Sequence, residues 1–299
     1  MTSTVDAEPG VAADTALHAD GLHKHYRRSV RGGLNHALSD CSFELPAGKV
    51  AALIGANGAG KTTLLSIMAG LLEPEAGTVR IAGRTAFVSQ EKAVYRHLKP
   101  ADVLAIAARL NRVWDAGKAK RWLERFDVPL ERACGKLSGG QQAQVAFAAA
   151  LGSCPDVLLL DEPLANLDPL VRREVMAELL AEVADTGMSV VLSTHVVAEL
   201  GGVSDHLFLL AKGQLALDGD LDELLEAHVH YVGPRAELPP GPGRVVEARH
   251  RGKQSSFLVR LPAGTEVPKL CEQWTVRQVT LEDLVLAHLA ANRKAVAAQ

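Results

Sequence analysis

The sequence predicts an α/β fold built on a largely parallel sheet. Four short runs are rich in Val, Leu and Ile, as strands buried on both faces are: 50–54, 86–88, 157–160 and 190–192. The segments between them space their apolar residues as amphipathic helices do, most clearly at 61–72 and 170–184. Strands that alternate with helices favour parallel pairing, and two apolar runs around the turn Lys212–Gly213 predict a closing antiparallel hairpin.

Composition divides the chain into segments. Residues 1–18, rich in Ala, Asp and Thr, predict a flexible tail before a main domain at 19–228. Within that domain, about 91–150 has an almost entirely helical pattern and predicts a helical subdomain inserted into the α/β core. A Pro- and Gly-rich stretch then introduces a small α+β appendage at 229–299. Its predicted elements are two strands and a terminal helix: 244–250, 255–261 and 281–293.

The composition is that of a globular protein and excludes several function classes. Hydrophobic residues make up 47% and charged residues 22%, and the net charge of −3 gives no reason to expect a nucleic-acid partner. No run approaches the roughly 18 apolar residues of a membrane-spanning helix, and the N-terminus lacks the pattern of a signal peptide. We therefore expect a cytoplasmic protein, and if it serves transport, the pore must be another chain.

A phosphate-binding loop follows the first apolar strand. Residues 55–62 fit the pattern G-x-x-x-x-G-K-[ST] between a strand and an amphipathic helix, the context that this pattern requires. Glycines let successive N–H groups face phosphate oxygens, whereas a chance glycine-rich turn would lack this context. Lys61 would reach the β- and γ-phosphates, and the Thr62 hydroxyl would ligate Mg²⁺. The predicted nucleotide-binding residues here are Gly55, Ala56, Asn57, Gly58, Ala59, Gly60, Lys61, Thr62 and Thr63.

Two carboxylates end another predicted strand. Asp161 and Glu162 follow the apolar run 157–160, and a strand buried on both faces can place acids only at its edge. Asp161 suits a magnesium ligand, directly or through water, and Glu162 suits a general base that deprotonates the attacking water. An acidic strand end is by itself often only a solvated boundary. Because the pair follows a phosphate loop, it predicts Mg²⁺-dependent hydrolysis of a nucleotide phosphate.

The segment Leu137–Gln141 reads L-S-G-G-Q and precedes the carboxylate strand. Ser138 is placed as the N-cap of a helix, where its hydroxyl and the amides of Gly139 and Gly140 form an anion-binding helix start. In isolation Ser-Gly-Gly is merely a loop. Between the two phosphate motifs, however, Ser138 to Gln141 resembles the signature sequence of ATP-binding cassette (ABC) ATPases. From about residue 20 to 225 the chain resembles the ATP-binding subunit of an ABC transporter, a P-loop cassette that hydrolyses ATP.

The resemblance implies roles for residues that the patterns alone leave open. Gln90 would join Mg²⁺ to the helical subdomain, His195 would sense the γ-phosphate as part of the catalytic set, and Tyr26 would stack on adenine. Without the resemblance, each has a structural alternative: Gln90 as a surface glutamine, His195 as a hydrogen-bonded histidine at a strand end, and Tyr26 as a core tyrosine. The resemblance also implies a homodimer, or pairing with a second cassette subunit, in which the signature of one copy completes the site of the other. The loop at Leu167–Asp168 would cross that interface.

Two positions depart from the family pattern. Residues 164–166 are not the usual small-residue run, which bears on coupling between the subunits. The signature helix begins with Gln-Gln-Ala-Gln at 141–144, where many relatives carry Arg, which weakens the expected charge pairing without removing a catalytic group.

The C-terminal appendage indicates which branch of the ABC family the chain resembles. At 280–284 it resembles the exporter ATPases for drugs, antibiotics and polysaccharides, so we expect export of a drug, antibiotic or similar compound. The alternatives are an importer ATPase subunit and, in a different class, a soluble cassette ATPase of translation or repair. The resemblance implies a separate membrane-spanning permease as partner, with this chain peripheral on the inner face of the cell membrane. A groove around Val94, Tyr95 and Leu98 would receive the permease, unless these residues fill the subdomain's own core.

Overall fold

The computed structural model of the chain describes residues 14–27, 34–91, 94–165, 167–200, 202–265 and 273–297. The strands are β1 (Thr15–Arg27), β2 (Leu34–Pro46), β3 (Val50–Ile54), β4 (Ala76–Ile81), β5 (Thr85–Val88), β6 (Val157–Asp161), β7 (Ser189–Thr194), β8 (His206–Ala211), β9 (Gln214–Asp220), β10 (His228–Pro234), β11 (Arg244–Arg251), β12 (Gln254–Arg260) and β13 (Thr275–Arg277). The α-helices are α1 (Lys61–Met68), α2 (Pro100–Leu110), α3 (Ala116–Arg125), α4 (Gly139–Gly152), α5 (Pro169–Thr186), α6 (Leu221–Glu226) and α7 (Leu281–Ala297). Two 3-10 turns lie at Cys134–Lys136 and Val197–Leu200.

The central sheet has the strand order β5-β6-β7-β3-β8-β9. Its first five strands are parallel, and β9 runs antiparallel to β8 as the predicted hairpin. The register places Ile54 opposite Thr194 and Asp161 opposite Ser193. The carboxyl ends of β3, β6 and β7 therefore meet at one edge, where ligand sites of parallel sheets form.

The apolar strands of this sheet are continuous because both faces are covered. In β3, Val50, Ala52 and Ile54 join a core shared with α4, α5 and α7. Ala51 and Leu53 point to the opposite face and join a second core with α1 and β1. This confirms the prediction of a largely parallel sheet buried on both faces.

A three-stranded antiparallel sheet, β2-β1-β4, covers the second core. Strand β1 begins at Thr15, so the predicted tail 1–18 is too long by the residues that pair with β2. Ala16 and Leu17 are buried and supply the reason, since their apolar burial offsets the cost of ordering the chain. Residues 1–13 of the predicted tail lie outside the described residues.

The predicted helical subdomain consists of α2, α3 and α4. Within it Trp122 donates a hydrogen bond from Nε1 to Oε1 of Gln144 at 2.9 Å, and its ring packs on Phe126 and Phe147. Gln144, the last residue of the departing run 141–144, is buried. A neutral hydrogen bond thus joins α3 and α4 at this residue, in keeping with the weakened charge pairing expected there.

The appendage is a four-stranded antiparallel sheet, β11-β12-β10-β13, followed by α7. The two predicted strands and the terminal helix are confirmed, while β10 and β13 were not predicted. Within the described ranges, no helix has both the length and the apolar character needed to cross a membrane.

Candidate functional site

The phosphate loop 55–62 turns from β3 into α1 through glycines with positive φ. Gly58 has φ 78° and Gly60 has φ 109°, conformations that L side chains rarely adopt. A Cβ at Gly60 would also lie 2.3 Å from the carbonyl oxygen of Ala37. Residues 56–58 are exposed. The loop is therefore open to a ligand at the N-terminal end of α1, which carries positive partial charge.

Lys61, the first residue of α1, is buried at the centre of the site. Its Nζ donates a hydrogen bond to the carbonyl oxygen of Gly55 at 2.8 Å and lies 3.5 Å from Oε1 of Glu162. A buried ammonium group is stable only when its charge is paired, and Glu162 supplies that pairing. The cation predicted for the phosphates thus lies beside the predicted general base.

Glu162 connects three elements of the site. It follows the last residue of β6 with φ 47°, so the chain leaves the strand direction there. Its backbone N–H donates to Oγ of Ser193 at 2.9 Å, and its Oε2 lies 2.7 Å from Nδ1 of His195. Because the carboxylate faces Lys61 on one oxygen and His195 on the other, the three predicted catalytic residues form one contiguous cluster.

Asp161 has one carboxylate oxygen engaged and one unused. Oδ1 accepts a hydrogen bond from Oγ of Ser193 at 2.7 Å, while the buried Oδ2 has no hydrogen-bond partner among the described residues. Such an atom is costly unless a cation or a water meets it. Oxygen is the ligand type that Mg²⁺ prefers, and Thr62 is exposed at the start of α1. These residues fit the predicted magnesium site.

Ser193 was not predicted from the sequence. It lies in β7 opposite Asp161, and its single hydroxyl group contacts both Asp161 and Glu162. Its position two residues before His195 is the signal that could have found it, since β7 ends at the same sheet edge as β6.

The predicted ligands Gln90 and Tyr26 lie at the periphery of this cluster. Gln90 is exposed just beyond β5, whose last residue, Val88, pairs with Leu160 before the two carboxylates. Tyr26, near the end of β1, is 43% exposed and its Oη lies 3.5 Å from Oγ1 of Thr63. This exposure excludes the core-tyrosine alternative and leaves the ring beside the first turn of α1.

The signature segment is built as a capped helix start. Ser138 is the N-cap of α4, its Oγ accepts from the backbone N–H of Gln141 at 3.1 Å, and the Gln141 side chain accepts from the Ser138 N–H at 3.2 Å. The predicted N-cap is therefore present. Ser138 and Gly139 are exposed, and the hydrogen bonds of Ser138 and Gln141 stay within the helical subdomain. The structure thus does not bring the signature onto Lys61 of the same chain.

The loop predicted to cross a dimer interface lies against the signature. A Cβ at Gly140 would lie 3.2 Å from Cδ2 of Leu167. Leu164 and Leu167 are buried, whereas Asn166, the third residue of the unusual run, lies outside the described residues. A cavity of about 90 Å³ lies behind this loop and reaches Glu162 and His195. It has room for water next to the carboxylate.

The residues predicted to receive a permease divide into two kinds. Val94 packs against the main hydrophobic core, to which the helical subdomain contributes, and Leu98 is half-buried. Tyr95, by contrast, is 67% exposed. The core-filling alternative therefore holds for Val94, and Tyr95 remains available as a surface group.

Comparison with known proteins gives the family. A family model described as ABC transporter matches residues 38–165. The sulfate/thiosulfate import ATP-binding protein CysA of Vibrio vulnificus is 34% identical over 243 residues, which cover 75% of this chain and 67% of that protein. The chain belongs to the ABC transporter family. Its P-loop cassette fold and its enzyme class, an ABC-type ATP hydrolase domain, are thereby confirmed.

Other relatives agree with this ABC assignment. The molybdenum import ATP-binding protein ModC of Mycobacterium tuberculosis (strain H37Rv) is 34% identical over 222 residues, 66% of this chain. The match spans 60% of the length of ModC. A solved structure of the ATP binding subunit of an ABC transporter has a TM-score of 0.62 and 26% identity, and covers 71% of this chain and 92% of that one. The family match covers residues 38–165 and assigns no residue roles, so the roles of all the predicted site residues stay predictions.

Proposed function

We propose that this chain binds ATP with Mg²⁺, hydrolyses it, and energises transport by a separate membrane-spanning permease. The proposal is supported mainly by the contacts of one buried carboxylate beside the phosphate loop. This carboxylate belongs to Glu162, and it faces Lys61 on one oxygen and His195 on the other. In this proposal Lys61 binds the β- and γ-phosphates, which replace Glu162 as its main anionic partner. Tyr26 stacks on the adenine, and His195 contacts the γ-phosphate.

Three residues would hold Mg²⁺: Thr62 through its hydroxyl, Asp161 through its unpartnered Oδ2, and Gln90 through its amide oxygen. When bound, the ion neutralises charge on the β- and γ-phosphates. Glu162 would orient the attacking water and take its proton. The water oxygen would attack the γ-phosphorus as the bond to the leaving ADP oxygen breaks.

A second cassette is needed to complete the site in this proposal. Ser138 and Gly139 are exposed at a helix N-terminus, which suits an anion, yet the hydrogen bonds of the signature stay within its own subdomain. The γ-phosphate held by Lys61 of one copy would therefore be met by the signature of another copy or of a second cassette subunit.

For the direction of transport we favour import over the predicted export. Both curated relatives named above are import ATP-binding proteins. The residues that suggested export have a local structural role, because Thr280 and Asp283 exchange hydrogen bonds that cap the start of α7. A cap of this kind stabilises the start of α7 whatever the protein transports, so this motif carries little information about the transported compound. The chain would work peripherally on the inner face of the membrane.

The substitution Glu162→Gln tests the proposed hydrolysis. It removes the base while keeping the shape of the side chain, and a general base contributes about 10²–10⁴-fold to rate. We expect phosphate release with Mg²⁺ and saturating ATP to fall by that factor, while ATP binding measured by calorimetry persists. The control is Glu174→Gln, which changes an exposed glutamate of α5. Turnover close to that of the control would contradict the role of Glu162.

The direction is tested in proteoliposomes that contain the permease with this chain on the outer face. Import predicts that external ATP drives substrate out of the lumen, because the lumen then corresponds to the outside of a cell. Export predicts that the same ATP drives accumulation in the lumen. Net movement towards the lumen would contradict the import proposal without affecting the proposed hydrolysis.

A further inference from the structure

Ser193 is a fully buried serine that contacts both carboxylate residues of the site. We infer that Ser193 is a positioning residue for ATP hydrolysis, whose hydroxyl fixes the directions of the Asp161 and Glu162 side chains. This inference rests on the proposed function of the two carboxylates. Ser193 itself is not assigned any contact with the nucleotide.

The first step concerns the backbone at Glu162. Strand β6 ends at Asp161, opposite Ser193 of β7. The next residue has φ 47°, a left-handed conformation that is unfavourable for a residue with a side chain. The N–H of Glu162 donates to the Ser193 hydroxyl at 2.9 Å. The hydroxyl thus stabilises the turn that directs the Glu162 carboxylate towards Lys61 and His195.

The second step concerns the carboxylate of Asp161. The same hydroxyl donates its hydrogen to Oδ1 at 2.7 Å, which leaves the buried Oδ2 without a partner among the described residues. The hydrogen bond therefore determines which oxygen of Asp161 is available to Mg²⁺. Hydrogen bonds of this kind to metal-ligating carboxylates set the orientation of the ligand and the affinity for the metal.

The third step concerns the hydroxyl chemistry. A serine hydroxyl has one hydrogen to donate and lone pairs that accept, and Ser193 uses both functions at once. Alanine or valine at this position would supply neither, and both the N–H of Glu162 and Oδ1 of Asp161 would lose a partner in a buried place. Threonine would keep the hydroxyl, and its added methyl could use the cavity of about 90 Å³ that Ser193 lines.

The competing explanation is that Ser193 only stabilises the sheet. Ser189 provides a matched control because it lies in the same strand, is equally buried, and accepts one hydrogen bond, from the N–H of Gly48 at 2.8 Å. Its partner lies away from the carboxylates. Ser189→Ala and Ser193→Ala therefore delete the same atom at the same depth, and only the second deletion reaches the site.

The experiment measures ATP binding by calorimetry with and without Mg²⁺, together with phosphate release and thermal unfolding. Without Mg²⁺ we expect the wild type, Ser193→Ala and Ser189→Ala to bind ATP equally. With Mg²⁺ we expect Ser193→Ala to lose about 10- to 100-fold in apparent Mg²⁺ affinity and in turnover, the usual effect of removing such a partner. Ser189→Ala should keep both values, and Ser193→Thr should recover most of the loss.

Two results would overturn the inference. One is a Ser193→Ala protein whose Mg²⁺ dependence and turnover match those of Ser189→Ala. If the alanine variant does not fold, Ser193→Thr is compared with Ser193→Val, because these two side chains share a shape and differ in the hydroxyl. Equal Mg²⁺ dependence and equal turnover of these two variants would refute the role of Ser193. If the ATP affinity of the wild type is the same with and without Mg²⁺, the result would instead contradict the proposed function.

Discussion

The most quantitative prediction concerns a pair of histidines, buried His228 and half-buried His288, that joins the last helix to the appendage sheet. Nε2 of His288 in α7 lies 3.2 Å from Nε2 of His228, the first residue of β10. Nδ1 of His228 lies 2.7 Å from the carbonyl oxygen of Leu224. Since a carbonyl only accepts, Nδ1 of His228 carries its proton, and its bare Nε2 accepts from His288. The contact is therefore lost when both Nε2 atoms carry a proton, as they do when both rings are charged.

The magnitude follows from the surroundings of the pair. Burial, followed by the charges of His228, Arg260 and Arg244, lowers the pKa of His288 from 6.5 to about 4. Burial also lowers the pKa of His228. Because the native protein holds fewer protons than the unfolded chain between these values, the free energy of unfolding decreases as pH falls from 6.5 towards 4. At about 1.36 kcal/mol per pKa unit, the depression for His288 corresponds to about 3 kcal/mol, of which about 2 kcal/mol is lost by about pH 5.

The assay is urea unfolding followed by circular dichroism, on the wild type and on His288→Gln, between neutral pH and about pH 5. Other groups titrate in this window, so the quantity of interest is the difference between the two proteins. We expect the wild type to lose about 2 kcal/mol more than the variant on acidification. His97→Gln, which replaces an exposed histidine, should follow the wild type.

Parallel pH dependences of the wild type and His288→Gln would refute this reasoning. They would mean that the imidazole of His288 is as easily protonated in the folded protein as in the unfolded chain. A wild type that gains stability on acidification relative to the variant would contradict the sign of the argument as well as its size.

Three further predictions follow from the site and its surroundings. Lys61→Ala should weaken ATP binding in calorimetry by about 10-fold or more, because a charged hydrogen bond to the phosphates is lost; unchanged affinity would refute the role of Lys61. Glu162→Gln should dimerise with ATP and return to monomer with ADP in size-exclusion runs, whereas a monomer with both nucleotides would favour pairing with a different cassette subunit. Tyr95→Glu should keep the basal ATPase activity but no longer co-purify with the permease. If the permease co-purifies with this variant at the wild-type yield, the permease docks at another surface.

The sequence predicted the central sheet better than the sheets around it. Strands such as β6 consist of consecutive apolar residues because both faces are covered, and the short length of such runs favours strands over helices. Strand β1 alternates buried Leu17 and Ala19 with polar residues, and its pairing with β2 shifts register at several points. Its polar positions and irregular register weaken the pattern, so residues 15–18 were assigned to a tail.

The candidate site was predicted where a residue lies at a strand end or in the phosphate loop and has a distinctive chemical type. Lys61, Asp161, Glu162 and His195 satisfy both conditions. Ser193 does not, because serine is common in strands and its contacts depend on the register between β6 and β7. Pairing of distant segments is decided by the whole core, which a local pattern does not contain.

Helix α7 of the appendage joins the hydrophobic core of the cassette, while the appendage sheet also has a small core of its own around Tyr231 and Phe257. Leu284 and Val285 of α7 are almost fully buried and belong to the same cluster as Leu200 and Leu207. Leu200 ends the 3-10 turn Val197–Leu200, which begins two residues after His195. Helix α7 therefore packs against the segment that carries His195 out of the sheet. Since packed interiors tolerate few voids, the cassette and its C-terminal helix depend on each other for the geometry around His195.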